Sequence, residues 1–264
     1  KWDMNRSITE CYSAALPADR QGEVFHRYIL GVYDLYERLN TAFPQILFES
    51  CASGGGRFDP GILYYAPQGW TSDDTDAAER VKIQYGTSMC YPVSSMGSHV
   101  SAVPNHQLNR RTPLHTRANV AYFGTFGYEL DLNKLSDEEI YQVKEQIKFM
   151  KKYRELIQFG SFYRLKSPFE GNETVWMTVS QDKKRALVFW YRERNLVNAD
   201  YTRVRLQGLD PDLIYKNEYN GIENYGDELM NLGLLTTDGT AGEPTCEDAP
   251  CTDYESRIYV LTAR

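Results

Sequence analysis

The chain has 264 residues and carries 29 basic against 36 acidic side chains, a formal net charge of -7 at pH 7. With 42% apolar and 25% charged residues it has the composition of a soluble globular protein, long enough for one large domain or two ordinary ones. No run of about 18 apolar residues offers a membrane span, and the acidic balance argues against a phosphate-backbone partner, which needs a basic surface.

Lys1–Asn5 reads as a short strand. Gln21–Asn40 follows with Phe25, Ile29, Val32, Leu35, Tyr36 and Leu39 at helical spacing, stopped by Pro44. Ile46–Cys51 is expected as a buried strand and Gly69–Ser72 as the next. A helix is expected from Asp76, on Ala77, Ala78, Val81 and Tyr85, then a strand around Met96–Val100, a helix near Thr116–Tyr122 and a strand at Phe123–Tyr128. The longest helix opens at Ser136, with Glu139 three residues on as a capping box, and ends at Gly160. Alternating strands and helices imply a parallel sheet with crossover connections, and five such units suit the second half of a (β/α)8 barrel.

After Gly160 the texture changes. Phe162–Leu165, Thr174–Ser180, Ala186–Arg192, Tyr201–Leu206 and Arg257–Leu261 are short, β-branched and aromatic, separated by turn signals such as Gln181-Asp182-Lys183. The expected fold class is therefore α/β followed by all-β: a partial barrel over residues 1–160, then an antiparallel β-sandwich over 161–264. Thr236–Tyr254, rich in Gly, Thr, Pro and acids, reads as a mobile loop.

The five cysteines (11, 51, 90, 246 and 251) form no CxxC pair. Cys246 and Cys251 are spaced to close a small disulfide loop or to stand as two free thiols. None of the four histidines sits at zinc-like spacing from a cysteine, so no metal is expected. The chain starts at Lys1 without a signal-peptide pattern, which reads as a cut through a longer chain, and the expected location is the cytoplasm.

Three clusters carry polar chemistry. In a strand alternate side chains share a face, so Lys1, Asp3 and Asn5 project together, a cation and an amide beside a carboxylate. An exposed edge strand with solvated charges is the plain alternative. Trp70-Thr71-Ser72-Asp73-Asp74-Thr75-Asp76 places three carboxylates between a strand and a helix. Helix capping accounts for one of them, not three. Two acidic sites on different strands suggest the paired carboxylates of a glycosidase. Cys51-Ala52-Ser53-Gly54-Gly55-Gly56-Arg57-Phe58-Asp59 permits positive φ and close backbone approach. It lacks the GxxxxGK[ST] phosphate pattern, so a turn bringing backbone and Arg57 to a polyhydroxylated ligand is the preferred reading.

These runs, with Lys1-Trp2-Asp3-Met4-Asn5-Arg6, Met96–His106 and Phe126–Asp131, resemble the bacterial-type α-galactosidases of glycoside hydrolase family 36, in the same order. The resemblance implies a retaining enzyme that releases terminal α-galactose from melibiose- and raffinose-like oligosaccharides without a cofactor. It implies Asp3 as nucleophile and Asp73 as general acid/base, with Asp74 the fallback. Substrate contacts fall on Lys1, Asn5, Cys51, Ser53, Gly54, Arg57, Trp70 and Asp74, and His99 is either a contact or a core histidine. In the family the nucleophile lies on the fourth barrel strand, so three strands and an N-terminal β-sandwich are expected beyond these residues. The chain alone is then expected to be inactive and poorly soluble, with the strand edge beside Lys1–Asn5 open; the full-length protein is expected to be a homo-oligomer, a tetramer by resemblance. An α-N-acetylgalactosaminidase, a galactosyl transferase of the same fold and a non-catalytic carbohydrate-binding piece remain alternatives.

Overall fold

A computed structural model describes residues 1–3, 11–197, 201–236 and 253–264. By internal contacts the chain divides into two compact units, residues 1–73 with 95–97, and residues 74–94 with 98–264. Asn5, Cys246, Cys251 and the expected loop core at 237–252 lie outside the described residues.

The first unit is built on three short parallel strands, β1 (Trp2–Asp3), β2 (Glu49–Cys51) and β3 (Gln68–Gly69), in the order β1-β2-β3. Helix α1 (Val24–Ala42) connects the first two strands, and the single turn α2 (Ile62–Tyr65) connects the next two. A parallel bridge from Gly69 to Met96 continues the succession. Strands added in sequence order, with no reversal, are how a barrel winds rather than how a doubly wound sheet does. Trp2 turns its ring to the helix side, 5.1 Å from Tyr36 of α1 and 6.0 Å from Phe48. Val32, Tyr36, Ile62 and Ala66 form the buried centre of this layer. Two expectations change here. Phe25 and Leu35 are exposed, so the buried stripe of α1 is narrower than its periodicity suggested. Ile46 and Leu47 are also exposed, because a turn closed by Ile46 N–H on the Phe43 carbonyl delays the strand until Glu49.

In the second unit α3 (Ala77–Thr87), β4 (Gly97–Ser101, from Ser98 on), α4 (Leu114–Ala121) and β5 (Thr125–Glu129) continue the alternation, with β4 beside β5. Helix α5 (Asp137–Phe159) opens with the expected capping box, Ser136 and Glu139 each accepting from the other's backbone N–H.

The antiparallel part comprises β6 (Ser161–Lys166), β7 (Glu173–Val179), β8 (Arg185–Arg192), β9 (Arg203–Val204), β10 (Ile214–Asn217), β11 (Glu223–Tyr225), helix α6 (Gly226–Asn231), β12 (Leu234–Leu235) and β13 (Glu255–Ala263). Six strands form one sheet, β11-β10-β13-β8-β7-β6, and β12 pairs with β9 in a second. Alternation sorts β7 and β8 cleanly. Val175, Met177, Val179, Ala186, Val188 and Trp190 join Val204, Leu206, Leu229 and Leu234 in one core. Trp176 and Phe189 stack at 4.5 Å on the other face, with Phe123 at 5.7 Å and 5.8 Å. Both faces are buried, which is why these strands read as continuous apolar runs. Of the expected strand Tyr201–Leu206 only Arg203–Val204 is paired, since its partner β12 is itself two residues long.

Candidate active site

The polar residues of the first unit gather on the face of β1-β2-β3 opposite Trp2 and α1. Parallel register pairs Asp3 with Cys51, and Glu49 with Gln68. Lys1 Nζ lies 3.5 Å from Glu49 Oε1 and 4.4 Å from the centroid of the Trp70 ring. Gln68 Nε2 donates to Glu49 Oε2 at 2.9 Å. A polar row of Lys1, Glu49 and Gln68 thus crosses the three strands, and one step toward their carboxyl ends stand Asp3, Cys51 and Trp70. Sequence reasoning placed Lys1 with Asp3 but missed Glu49 and Gln68, whose roles emerge only once strand register is known.

Cys51 is 1% exposed, and its thiol is hydrogen-bonded with the Asp3 carboxylate. Burial pushes the thiol above its ordinary range; the Gly54 N–H opposes this, the Asp3 hydrogen bond adds to it, and Lys1 opposes it again. Trp70 is buried, and its backbone N–H donates to the Ser50 carbonyl at 2.8 Å.

The glycine loop folds back on itself at the end of β2. Ser53 and Gly54 take the left-handed conformation, with φ of 48° and 75°. Ala52 N–H donates to the Gly54 carbonyl at 3.0 Å, and Gly56 N–H to the Ala52 carbonyl at 3.2 Å. Ser53 is exposed at the tip, while Arg57 is buried and donates through Nη2 to the Cys51 carbonyl at 2.8 Å. In this arrangement the Arg57 guanidinium anchors the root of the loop. A Cβ on Gly54 would stand 2.5 Å from Ser72 Cα and 3.0 Å from Asp73 N, and one on Gly55 would stand 2.9 Å from the Thr71 carbonyl oxygen. The loop therefore lies directly against the segment that carries Asp73.

Local structure separates the three carboxylates. Asp76, 3% exposed, is the N-cap of α3, accepting from Ala78 N–H and Glu79 N–H, and it also takes Arg110 Nη1. Asp74 accepts from Asp76 N–H at 3.0 Å in a local turn. Asp73 is exposed and serves neither as cap nor as turn acceptor. Sequence reasoning also missed buried Arg80, whose guanidinium is lowered to about 10 by burial, opposed by Asp74 and Glu129. His99 Nδ1 lies 3.1 Å from Glu129 Oε2. Among the described residues no group of three His, Cys, Asp or Glu side chains is placed to hold a metal ion.

Strand-end carboxylates beside a glycine turn, in a sequentially wound parallel α/β frame followed by an all-β region, define the class: a barrel-type α/β scaffold with a C-terminal β domain. The Melibiase family profile matches residues 1–160, and that of the glycosyl hydrolase family 36 C-terminal domain matches residues 173–261. The chain belongs to the Melibiase family, glycoside hydrolase family 36. It is 56% identical over 234 residues to α-galactosidase AgaA of Geobacillus stearothermophilus, covering 89% of this chain and 32% of that one. The crystal structure of a variant of that enzyme in complex with raffinose superposes with a TM-score of 0.90 at 51% identity, covering all of this chain and 35% of the other. The α-galactosidase from Lactobacillus brevis gives 0.92 at 52%, with 100% and 35% covered. The fold class is thus the second half of a (β/α)8 barrel followed by a C-terminal β domain. The chain spans about a third of the length of the curated relatives it matches.

Proposed function

We propose that this chain carries the catalytic pair of a retaining α-galactosidase, with Asp3 the nucleophile and Asp73 the general acid/base. The observation that supports it most is the Gly54–Asp73 contact. It ties the loop after β2, the strand register-paired with Asp3, to the backbone of the second carboxylate. Asp3 attacks the anomeric carbon as Asp73 gives its proton to the departing glycosidic oxygen, leaving a galactosyl ester on Asp3. Asp73, now a carboxylate, takes a proton from water, whose oxygen displaces Asp3 and releases galactose with the original anomeric configuration. Two inversions at one carbon give retention.

Oligosaccharides of the raffinose and stachyose type are the proposed substrates, supported by the complexes of AgaA variants with those sugars. Residues 1–160 are read as the catalytic half-barrel and 161–264 as the C-terminal β-sandwich, a division supported by the two family matches. The test is a substrate panel on the full-length protein. Release of galactose from raffinose, with the α-anomer appearing first by NMR, is the expected result. Preference for N-acetylgalactosaminides, transfer to sugar acceptors in place of hydrolysis, or first release of the β-anomer would overturn it.

A further inference from the structure

Gly54 has no side chain, yet an added carbon there would meet main chain more closely than at any other glycine of the first unit. It is buried, its φ is 75°, and a single added carbon would stand 2.5 Å from Ser72 Cα. Such a distance forces backbone to move, because the obstructing atom belongs to the main chain and not to the end of a flexible side chain. Gly55 repeats the contact one residue on, against the Thr71 carbonyl oxygen at 2.9 Å. The base of the turn is fixed in turn by Arg57 on the Cys51 carbonyl and by the Gly54 N–H facing the Cys51 sulfur. Cys51 is the register partner of Asp3. A continuous run of contacts therefore links the strand beside Asp3 to the Ser72–Asp73 peptide.

We propose that Gly54 is a positioning residue for Asp73: the loop acts as a spacer that sets how far the acid/base carboxyl stands from Asp3. The proposal rests on the catalytic roles proposed above and goes beyond them, because it assigns the loop a task on the enzyme's own acid rather than on the sugar. Retention requires carboxyl groups about 5–5.5 Å apart, and inverting pairs stand roughly 6.5–9.5 Å apart. A displacement of about 1 Å at a reacting group can cost on the order of a hundredfold. A side chain at position 54 pushes the Ser72–Asp73 backbone away, and the step that suffers is proton donation to the leaving group.

Leaving-group dependence separates this from a merely structural role. Second-order rate constants, which report glycosylation alone, are measured on the full-length protein with raffinose, whose leaving group needs a proton, and with dinitrophenyl α-galactoside, whose leaving group does not. For Gly54→Ala the loss on raffinose should exceed the loss on the dinitrophenyl substrate by about tenfold or more, as for Asp73→Ala. Gly55→Ala, where φ is not left-handed, should show the same sign with a smaller ratio, and Gly31→Ala, with open space around it, should leave the rate on each substrate as it is in the unaltered protein. Equal losses on the two substrates for a folded Gly54→Ala protein overturn the proposal. If circular dichroism shows that variant unfolded, Gly55→Ala decides, and equal losses there overturn it too. If Asp73→Ala itself fails to discriminate between the leaving groups, the acid/base assignment falls, whatever Gly54 does.

Discussion

Removing the Asp76 carboxylate should cost stability and leave catalysis largely intact. Its side chain is 1% exposed and accepts from Ala78 N–H at 3.1 Å, from Glu79 N–H at 3.4 Å and from Arg110. Losing an N-cap acceptor costs about 0.5–2 kcal/mol, and losing a hydrogen bond to a charged group about 1.5–3 kcal/mol. Arg110 keeps a second carboxylate, Glu79 Oε1 at 3.2 Å, which moderates the second figure. Asp76→Ala should therefore lose about 2–4 kcal/mol, and Asp76→Asn, which keeps the capping oxygen, about half as much. At about 2–4 °C per kcal/mol for a domain of this size, Tm should fall by roughly 5–12 °C for the alanine variant. Thermal melts followed by circular dichroism, with turnover measured well below the transition, give both numbers. An unchanged Tm together with turnover as low as that of Asp73→Ala would refute the reasoning, because Asp76 would then be an acid of the reaction and not the cap of α3.

Asp3→Asn should abolish turnover while leaving sugar binding, measured by calorimetry, within about threefold, because the amide keeps the shape but cannot form the ester. Cys51, buried and with its thiol pushed up, should stay protonated at neutral pH and resist alkylation, whereas exposed Cys90 reacts. Its modification should rise only as the solution is made alkaline, and rapid labelling of Cys51 at pH 7 by mass spectrometry would contradict the burial described. Gly31→Ala, at an exposed position inside α1 with nothing within 4 Å of the added carbon, should stabilise by about 0.5–1 kcal/mol. A lower Tm for that variant would mean α1 is covered there.

Elements whose signal is local were legible in the sequence. The Ser136 capping box marked the start of α5, and the β-branched and aromatic runs of β7 and β8 marked strands that the structure pairs over seven residues. What escaped depends on contacts distant in sequence. β10, β11 and β12 carry weak local signals and are held by β13, β10 and β9 respectively. Ile46–Phe48 looked like a strand because it is apolar, but the turn closed by Ile46 N–H on the Phe43 carbonyl delays the strand until Glu49. In the candidate site the residue types were readable, since three carboxylates and three glycines announce themselves. Their division of labour was not. Capping chemistry suggested that one carboxylate was structural, but only the backbone showed that Asp76 is the cap, that Asp74 closes a turn and that Gly54 lies on Asp73. The Lys1–Glu49–Gln68 row needed the parallel register, which no single segment encodes.

The central claim, that Asp3 is the group which bonds to the sugar, is tested most directly by trapping the ester. The full-length protein is incubated with a fluorinated galactosyl fluoride whose glycosyl ester hydrolyses slowly, then digested and mapped by mass spectrometry. One added fluorogalactosyl mass is expected on the peptide containing Asp3, localised by fragmentation to that residue and absent from Asp3→Asn. An adduct on Asp73, Asp74 or any other side chain, or rapid turnover of raffinose by Asp3→Asn, would contradict it.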